Sequence, residues 1–146
     1  MPVRIDTNDE DFSDLELLRE ILANVRVVQL GEQTHGDGTT FEAKVRLIKF
    51  LHRDMGYSVL AFESGLYDCA AAWKATVNGD DPQRVARRSV FGLWSQSRQV
   101  SPLWSYMAST ARSQHPLELA GFDSQFTGEM SRKRLIQTAA SSSDMR

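Results

Sequence analysis

The sequence lacks the features that mark disulfide-rich, membrane-spanning and nucleic-acid-binding proteins. Its single cysteine, Cys69, cannot form a disulfide within the chain and fits a reducing compartment. No apolar run approaches the roughly 20 residues that span a bilayer. The net charge of −2 gives no reason to expect nucleic acid or a membrane as a partner. Because residues 1–24 are acidic and do not resemble a signal peptide, we expect a cytoplasmic protein.

The length and composition predict one globular domain. The chain has 146 residues, of which 41% are hydrophobic and 25% are charged. A chain of this length can bury about 68–70% of its unfolded surface. From Ser131 onward the sequence becomes polar and rich in small residues. We therefore expect a folded domain over residues 1–130 and a polar, disordered tail over residues 131–146.

Three short segments have the composition of buried strands, and helical segments separate them. The strand segments are Val25 to Leu30, Tyr57 to Phe62 and Leu117 to Asp123. The first intervening helix is expected from Thr39 to Met55, with a capping box at its start and Gly56 as its C-cap. This order of elements predicts an α/β fold, with a parallel sheet and crossover helices.

Acidic residues and one histidine follow the predicted strands. Glu32 and His35 lie in a glycine-rich loop after the first strand, where we expect glycine to allow a positive φ. Glu63 follows the second strand and Asp123 ends the third. The carboxyl ends of parallel strands meet at one edge, where open sheets bind ligands. A neighbouring carboxylate can hold a histidine in one tautomer, so the sequence predicts His35, Glu32 and Glu63 as a proton-transfer site.

Each of these residues also has a structural interpretation. His35 could hydrogen-bond only to backbone, Glu32 could cap a loop amide, and Glu63 could form an ion pair with Lys44 or Arg46 of the helix between the first two strands. Two cations begin that helix, and one of them could hold a substrate oxyanion or carboxylate. Alternatively, both could lie on the surface with their charged ends in water. The residues that we predict to bind substrate are Lys44, Arg46 and Asp123.

Other standard chemistries have weaker support. A serine hydrolase needs Gly-x-Ser-x-Gly between strand and helix, but Phe62 stands where the first glycine would be. A catalytic zinc needs about three protein ligands. The acids at 32, 63 and 123 could join His35 in such a set, so a metal-dependent hydrolase is kept as an alternative. One histidine among carboxylates is a weak metal signature, and we expect no metal and no other cofactor.

Several segments resemble the erythromycin esterase family. They are Gly31 to Gly36, Phe41 to Leu47, Ala61 to Gly65 and Leu119 to Gln125. The resemblance implies an α/β hydrolase that opens macrolide lactones or other esters. In such an enzyme a histidine activates water, with no requirement for a metal.

The resemblance also assigns roles within the site. It implies that His35 is the general base, that Glu32 is the acid three residues before it, and that Glu63 is the acid after the second strand. Arginine often stands in the family at the position of Lys44, and a lysine lacks its forked geometry. The expected partner is a small-molecule ester or lactone.

The resemblance covers roughly residues 24 to 128, and family members are much longer. We therefore expect the N-terminal part of a truncated member, with a sheet that is incomplete relative to full-length members. The alternative function is a non-catalytic remnant, or a module that binds a ligand or forms a homodimer.

Overall fold

The computed structural model describes residues 3–126 and 128–143. The helices are α1 (Glu16–Ile21), α2 (Gly38–Met55), α3 (Leu66–Asn78), α4 (Pro82–Ser89), α5 (Gly92–Ser95), α6 (Ser101–Thr110) and α7 (Glu129–Ser143), and a 3-10 turn at Ser13–Leu15 precedes α1. The strands are β1 (Val59–Gly65) and β2 (Glu118–Asp123). Within the described ranges no helix is both long and apolar enough to cross a membrane.

The two strands are parallel neighbours in one sheet, and α3 to α6 lie between them in the chain. Leu60 pairs with Leu119 and Phe62 with Gly121. The inward side chains of the sheet pack on a core that includes Leu103 and Trp104 of α6. Parallel strands joined through helices confirm the predicted α/β fold.

The segment Val25 to Leu30, predicted to be a buried strand, does not join the sheet. Val27 is 75% exposed, although Leu30 packs partly against the core. The Tyr57 hydroxyl donates a hydrogen bond to the carbonyl of Val25 at 2.5 Å. A strand needs a neighbouring ladder of hydrogen bonds, and in the described parts of the chain β1 pairs only with β2. The β-branched composition of residues 25–30 favours a strand, but it does not show whether a second strand lies beside that segment.

The ends of α2 confirm one predicted cap and correct the other. Gly56 has φ of 77° at the C-cap, as expected. The N-cap is Asp37 rather than Thr39, because its carboxylate accepts hydrogen bonds from the Thr39 amide at 3.0 Å and the Thr40 hydroxyl at 2.6 Å. The three loop glycines do not use a positive φ, which among the described residues occurs only at Gly56 and Gly79.

The segment from Ser131, expected to be a disordered tail, is helical as far as Ser143. Asp68 of α3 is fully buried, and its carboxylate accepts hydrogen bonds from the amides of Gly128 at 3.1 Å and Ser131 at 2.8 Å. These bonds satisfy amide groups at the start of α7 that lack partners within the helix. The polar composition of this segment did not predict the helix, because the carboxylate that binds its first amide lies 63 residues away in the sequence. Residues 144–146 of the expected tail lie outside the described residues.

Gly121 of β2 lies where the backbone of β1 leaves no room for a side chain. A Cβ atom there would be 2.4 Å from the Ser64 carbonyl oxygen and 2.7 Å from that of Gly65. Because both neighbours are backbone atoms, the two strands would have to separate. We expect Gly121→Ala to lower the free energy of unfolding by about 1–3 kcal/mol in urea denaturation. Gly31→Ala is the control, since a Cβ there meets nothing within 4 Å; equal losses would contradict the prediction.

Candidate active site

Glu32 is the centre of the candidate site. Its Oε1 lies 2.5 Å from Nδ1 of His35, and its Oε2 lies 2.6 Å from Nζ of Lys44. Both carboxylate oxygens therefore have a partner. The Glu32 side chain is only 9% exposed, whereas that of His35 is 71% exposed. The site is thus a largely buried carboxylate between a surface imidazole and an ammonium group.

The loop before α2 and the first turns of α2 place these three groups. Leu30 packs against the core at the start of the loop, and the Asp37 cap fixes the other end to the helix. Lys44 lies further along α2 and reaches back to Glu32. The role of Asp37 was not predicted from the sequence. The signal for it was an aspartate immediately before the first residues of an apolar helical pattern.

The charge state of Glu32 follows from its surroundings. Burial raises the pKa of its carboxyl group, but the hydrogen bonds from Lys44 and His35 outweigh burial and hold that pKa below its ordinary value. An ionised carboxylate can only accept hydrogen bonds, so Nδ1 of His35 must carry the proton between them. The lone pair of a neutral imidazole then lies on Nε2, which makes no hydrogen bond to any described residue. This nitrogen is free to accept a proton from a ligand or water.

Glu63 is not joined to this cluster. β1 continues through it to Gly65, so Glu63 lies within the strand rather than after it. Its side chain is exposed and makes no hydrogen bond or ion pair with the described residues. The alternative pairing with Lys44 or Arg46 does not form either, because Lys44 binds Glu32 and Arg46 binds Asp14.

Arg46, predicted to contact substrate, lies against the N-terminal segment instead. Its side chain is 1% exposed, and its guanidinium donates to both oxygens of the Asp14 carboxylate at 2.6 and 2.9 Å. It also donates to the backbone carbonyls of Arg4 and Asp11. Two residues along a helix correspond to a rotation of about 200°. Lys44 and Arg46 therefore point to different sides of α2.

Asp123 ends β2, where it is paired in register with Gly65. Its carboxylate accepts a hydrogen bond from the amide of Gln125 at 2.9 Å, which stabilises the turn after the strand. It makes no contact with Glu32 or His35. Among residues 3–126 and 128–143, no three or more histidine, cysteine, aspartate or glutamate side chains are placed to hold one metal ion. The four-residue metal set considered from the sequence is thus not assembled.

The model of the erythromycin esterase family matches residues 52–144, more than half of the chain. The chain belongs to the erythromycin esterase family. The matched region includes Glu63 and Asp123, and it extends through the helix that was expected to be a tail. The loop with Glu32 and His35 lies before it, so the family model does not test those two residues.

The relatives that this chain matches are much longer than the chain itself. The chain is 40% identical over 123 residues to “Putative hydrolase YbfO” of Bacillus subtilis (strain 168). The aligned region covers 83% of this chain and 27% of that protein. It is 34% identical over 65 residues to erythromycin esterase type II of Escherichia coli, covering 44% and 16%. A crystal structure of a succinoglycan biosynthesis protein matches 84% of the chain and 31% of its own length, with a TM-score of 0.71 and 23% identity. That last likeness supports the fold alone.

Proposed function

We propose that this chain contributes the general base of a hydrolase that cleaves carboxylic ester or lactone bonds. The observation that carries the proposal is the contact between the Glu32 carboxylate and Nδ1 of His35, which leaves Nε2 free at the surface. Family membership and the names of the two relatives support the reaction class. The proposed substrates are small esters and lactones, with macrolides among them.

In the proposed reaction, Nε2 of His35 removes a proton from a water molecule as its oxygen attacks the ester carbonyl carbon. The imidazole becomes an imidazolium, and the adjacent Glu32 carboxylate stabilises its positive charge. The tetrahedral intermediate then collapses, the bond to the alcohol oxygen breaks, and the imidazolium returns its proton to the leaving alkoxide. The products are a carboxylic acid and an alcohol, which remain joined when the substrate is a lactone.

The oxyanion of the tetrahedral intermediate needs hydrogen-bond donors close to the base. The backbone amides of residues 32–36 donate no hydrogen bond to the described residues, so they are available for this purpose. Lys44 is not available, because its ammonium group already binds Glu32. We therefore assign Lys44 to holding the carboxylate, and the loop amides to the oxyanion. Asp123, at the end of β2, stays a proposed substrate-side residue, whereas Glu63, predicted from the sequence as a catalytic acid, lies within β1 and has no assigned step in this reaction.

Glu32→Gln tests the proposed site. A glutamine has one carbonyl oxygen and one NH₂ group, so it cannot accept hydrogen bonds from Lys44 and His35 on separate oxygens. We expect the rate of hydrolysis of simple esters to fall about 100-fold, since a misplaced catalytic group typically costs about that factor. Glu42→Gln is the matched control, because Glu42 lies close by in α2 and makes no hydrogen bond or ion pair with described residues. Equal rates in the two variants would refute the role of Glu32.

The lowered pKa of Glu32 also predicts a dependence of stability on pH. A carboxyl group whose pKa is lower in the folded state stabilises the fold above its unfolded pKa, and this contribution is lost as pH falls through the folded value. We therefore expect the difference in free energy of unfolding between the parent and Glu32→Gln to be constant near neutral pH. It should narrow once the pH drops below the ordinary carboxyl range. A difference that still widens below the ordinary carboxyl range would contradict the assignment.

A further inference from the structure

Positive charge is concentrated on two helices that lie far from Glu32 in the sequence. α4 contains three arginines and no acid, and α7 contains three cations and one glutamate. These 23 residues carry a net charge of +5, so the rest of the chain carries −7. The overall charge of −2, from which no anionic partner was expected, conceals this separation.

The cations of α4 are all on its solvent side. Val85, Ala86 and Ser89 are buried, and the helical repeat of 3.6 residues places the three arginines on the opposite face. Arg84 and Arg87 are exposed and form no ion pair with described residues. Their charge is therefore available to a partner.

α7 continues this positive surface. Glu129 connects the two helices, with Nε of Arg88 at 3.1 Å and Nζ of Lys133 at 2.5 Å from its carboxylate oxygens. The helical repeat then places Arg132 and Lys133 beside Ile136, whose side chain is 69% exposed. An apolar side chain thus projects from the surface between two cations. The residues that form this basic surface are Arg84, Arg87, Arg88, Arg132, Lys133 and Ile136.

We propose that the basic surface binds the anionic face of a lipid bilayer. Cations attract anionic headgroups, while an exposed aliphatic side chain between them can enter the boundary of the acyl chains. Surfaces that bind single-stranded nucleic acid usually add aromatic side chains for base stacking. Neither α4 nor α7 contains an aromatic residue, although the exposed Phe91 and Phe126 lie just outside them, and neither phenylalanine lies between the cations as Ile136 does. The aliphatic residue therefore favours a bilayer over a nucleic acid as the partner.

The test is co-sedimentation of the purified chain with phosphatidylcholine vesicles that contain or lack phosphatidylglycerol. We expect binding only to the anionic vesicles. Arg84→Gln combined with Arg87→Gln should weaken it about 25-fold, since each cation contributes about a factor of five. The control combines Arg26→Gln with Arg98→Gln, two exposed arginines outside both helices that form no ion pair with described residues, and it should bind as the parent does. Ile136→Ser should weaken binding at constant charge.

Other outcomes would overturn the proposal. These are no binding to anionic vesicles, equal losses in the two double variants, or an Ile136→Ser variant that binds like the parent. Tighter binding to an oligonucleotide than to vesicles would assign the surface to nucleic acid instead. Inorganic phosphate should displace the chain no more than chloride at matched ionic strength; a larger effect would indicate a site for free phosphate. Circular dichroism of each variant separates lost binding from lost folding.

Discussion

Replacing His35 by alanine is expected to lower ester hydrolysis by about 10²–10⁴-fold, the usual contribution of a general base. The variant removes the imidazole that Glu32 orients and whose Nε2 makes no hydrogen bond to the described residues. Because the His35 side chain is 71% exposed, its loss should leave the fold intact, and the melting temperature should fall only slightly as Oε1 of Glu32 loses its partner. The measurement is the initial rate on a panel of simple esters and macrolides, at equal concentrations of parent and variant.

His115→Ala is the matched control for this experiment. His115 is also exposed, and the bonds that it makes to Ser113 and His52 use its backbone amide and carbonyl, which alanine keeps. We expect this variant to hydrolyse esters at the parent rate. Equal rates for the parent and both variants, or no hydrolysis by any of them, would show that the geometry of the loop does not support catalysis in this chain.

Replacing Asp14 by asparagine is expected to cost about 3–5 kcal/mol of the free energy of unfolding. Asp14 is fully buried in its side chain and binds the equally buried guanidinium of Arg46 through both oxygens. Asparagine would leave that buried guanidinium with only the more distant Asp9 carboxylate, 3.6 Å away, as an anionic partner. A domain of this size is stabilised by only about 5–15 kcal/mol in total, so the loss should be plain in urea denaturation.

The control for Asp14 is Asp11→Asn. The Asp11 side chain is 62% exposed and pairs with Arg4, whereas Arg46 contacts only the backbone carbonyl of Asp11, which the substitution keeps. We expect a much smaller loss there, as for other surface ion pairs. If the two variants lost the same free energy of unfolding, burial of the Asp14–Arg46 pair would not determine how much the pair contributes to stability.

The same pair predicts how acid unfolds the protein. The hydrogen bonds from Arg46 hold the pKa of Asp14 well below its usual range, against the opposing effect of burial. Its contribution to stability is therefore complete above the usual aspartate pKa, and it is lost as pH falls through the lowered folded value. We expect the parent to lose stability on acidification more steeply than Asp14→Asn, because the variant no longer has this group to protonate.

Local patterns predicted much of the fold. The apolar spacing and the terminal glycine of α2 are satisfied within one helix, and the structure confirms both. The parallel α/β arrangement followed from the order of short apolar segments and helical segments. The prediction of a strand from Val25 to Leu30 was wrong. A strand needs a partner strand, and the composition of a segment does not show whether a partner is present. The start of α7 was missed because its anchor, Asp68, is 63 residues away from Ser131.

In the candidate site, too, contacts within one short segment were predictable from the sequence and contacts between distant segments were not. Glu32 and His35 are three residues apart in one loop, so their sequence spacing was enough to predict a contact. The roles of Lys44 and Arg46 were not accessible in this way, because both are cations near the start of one helix with similar local surroundings. Their partners were fixed by what lies on each side of α2, the loop at Glu32 and the N-terminal segment at Asp14.

The sequence by itself determined the end of α2 at Gly56, the approximate positions of β1 and β2, and the presence of a histidine next to a carboxylate. Each of these depends on interactions over a few residues, or on the alternation of apolar side chains. Only the tertiary structure decided which cation binds which acid and which strand finds a partner. It also decided how the cations of α4 and α7 combine into one surface. Those outcomes depend on contacts between residues 12 to 63 positions apart, which no local pattern encodes.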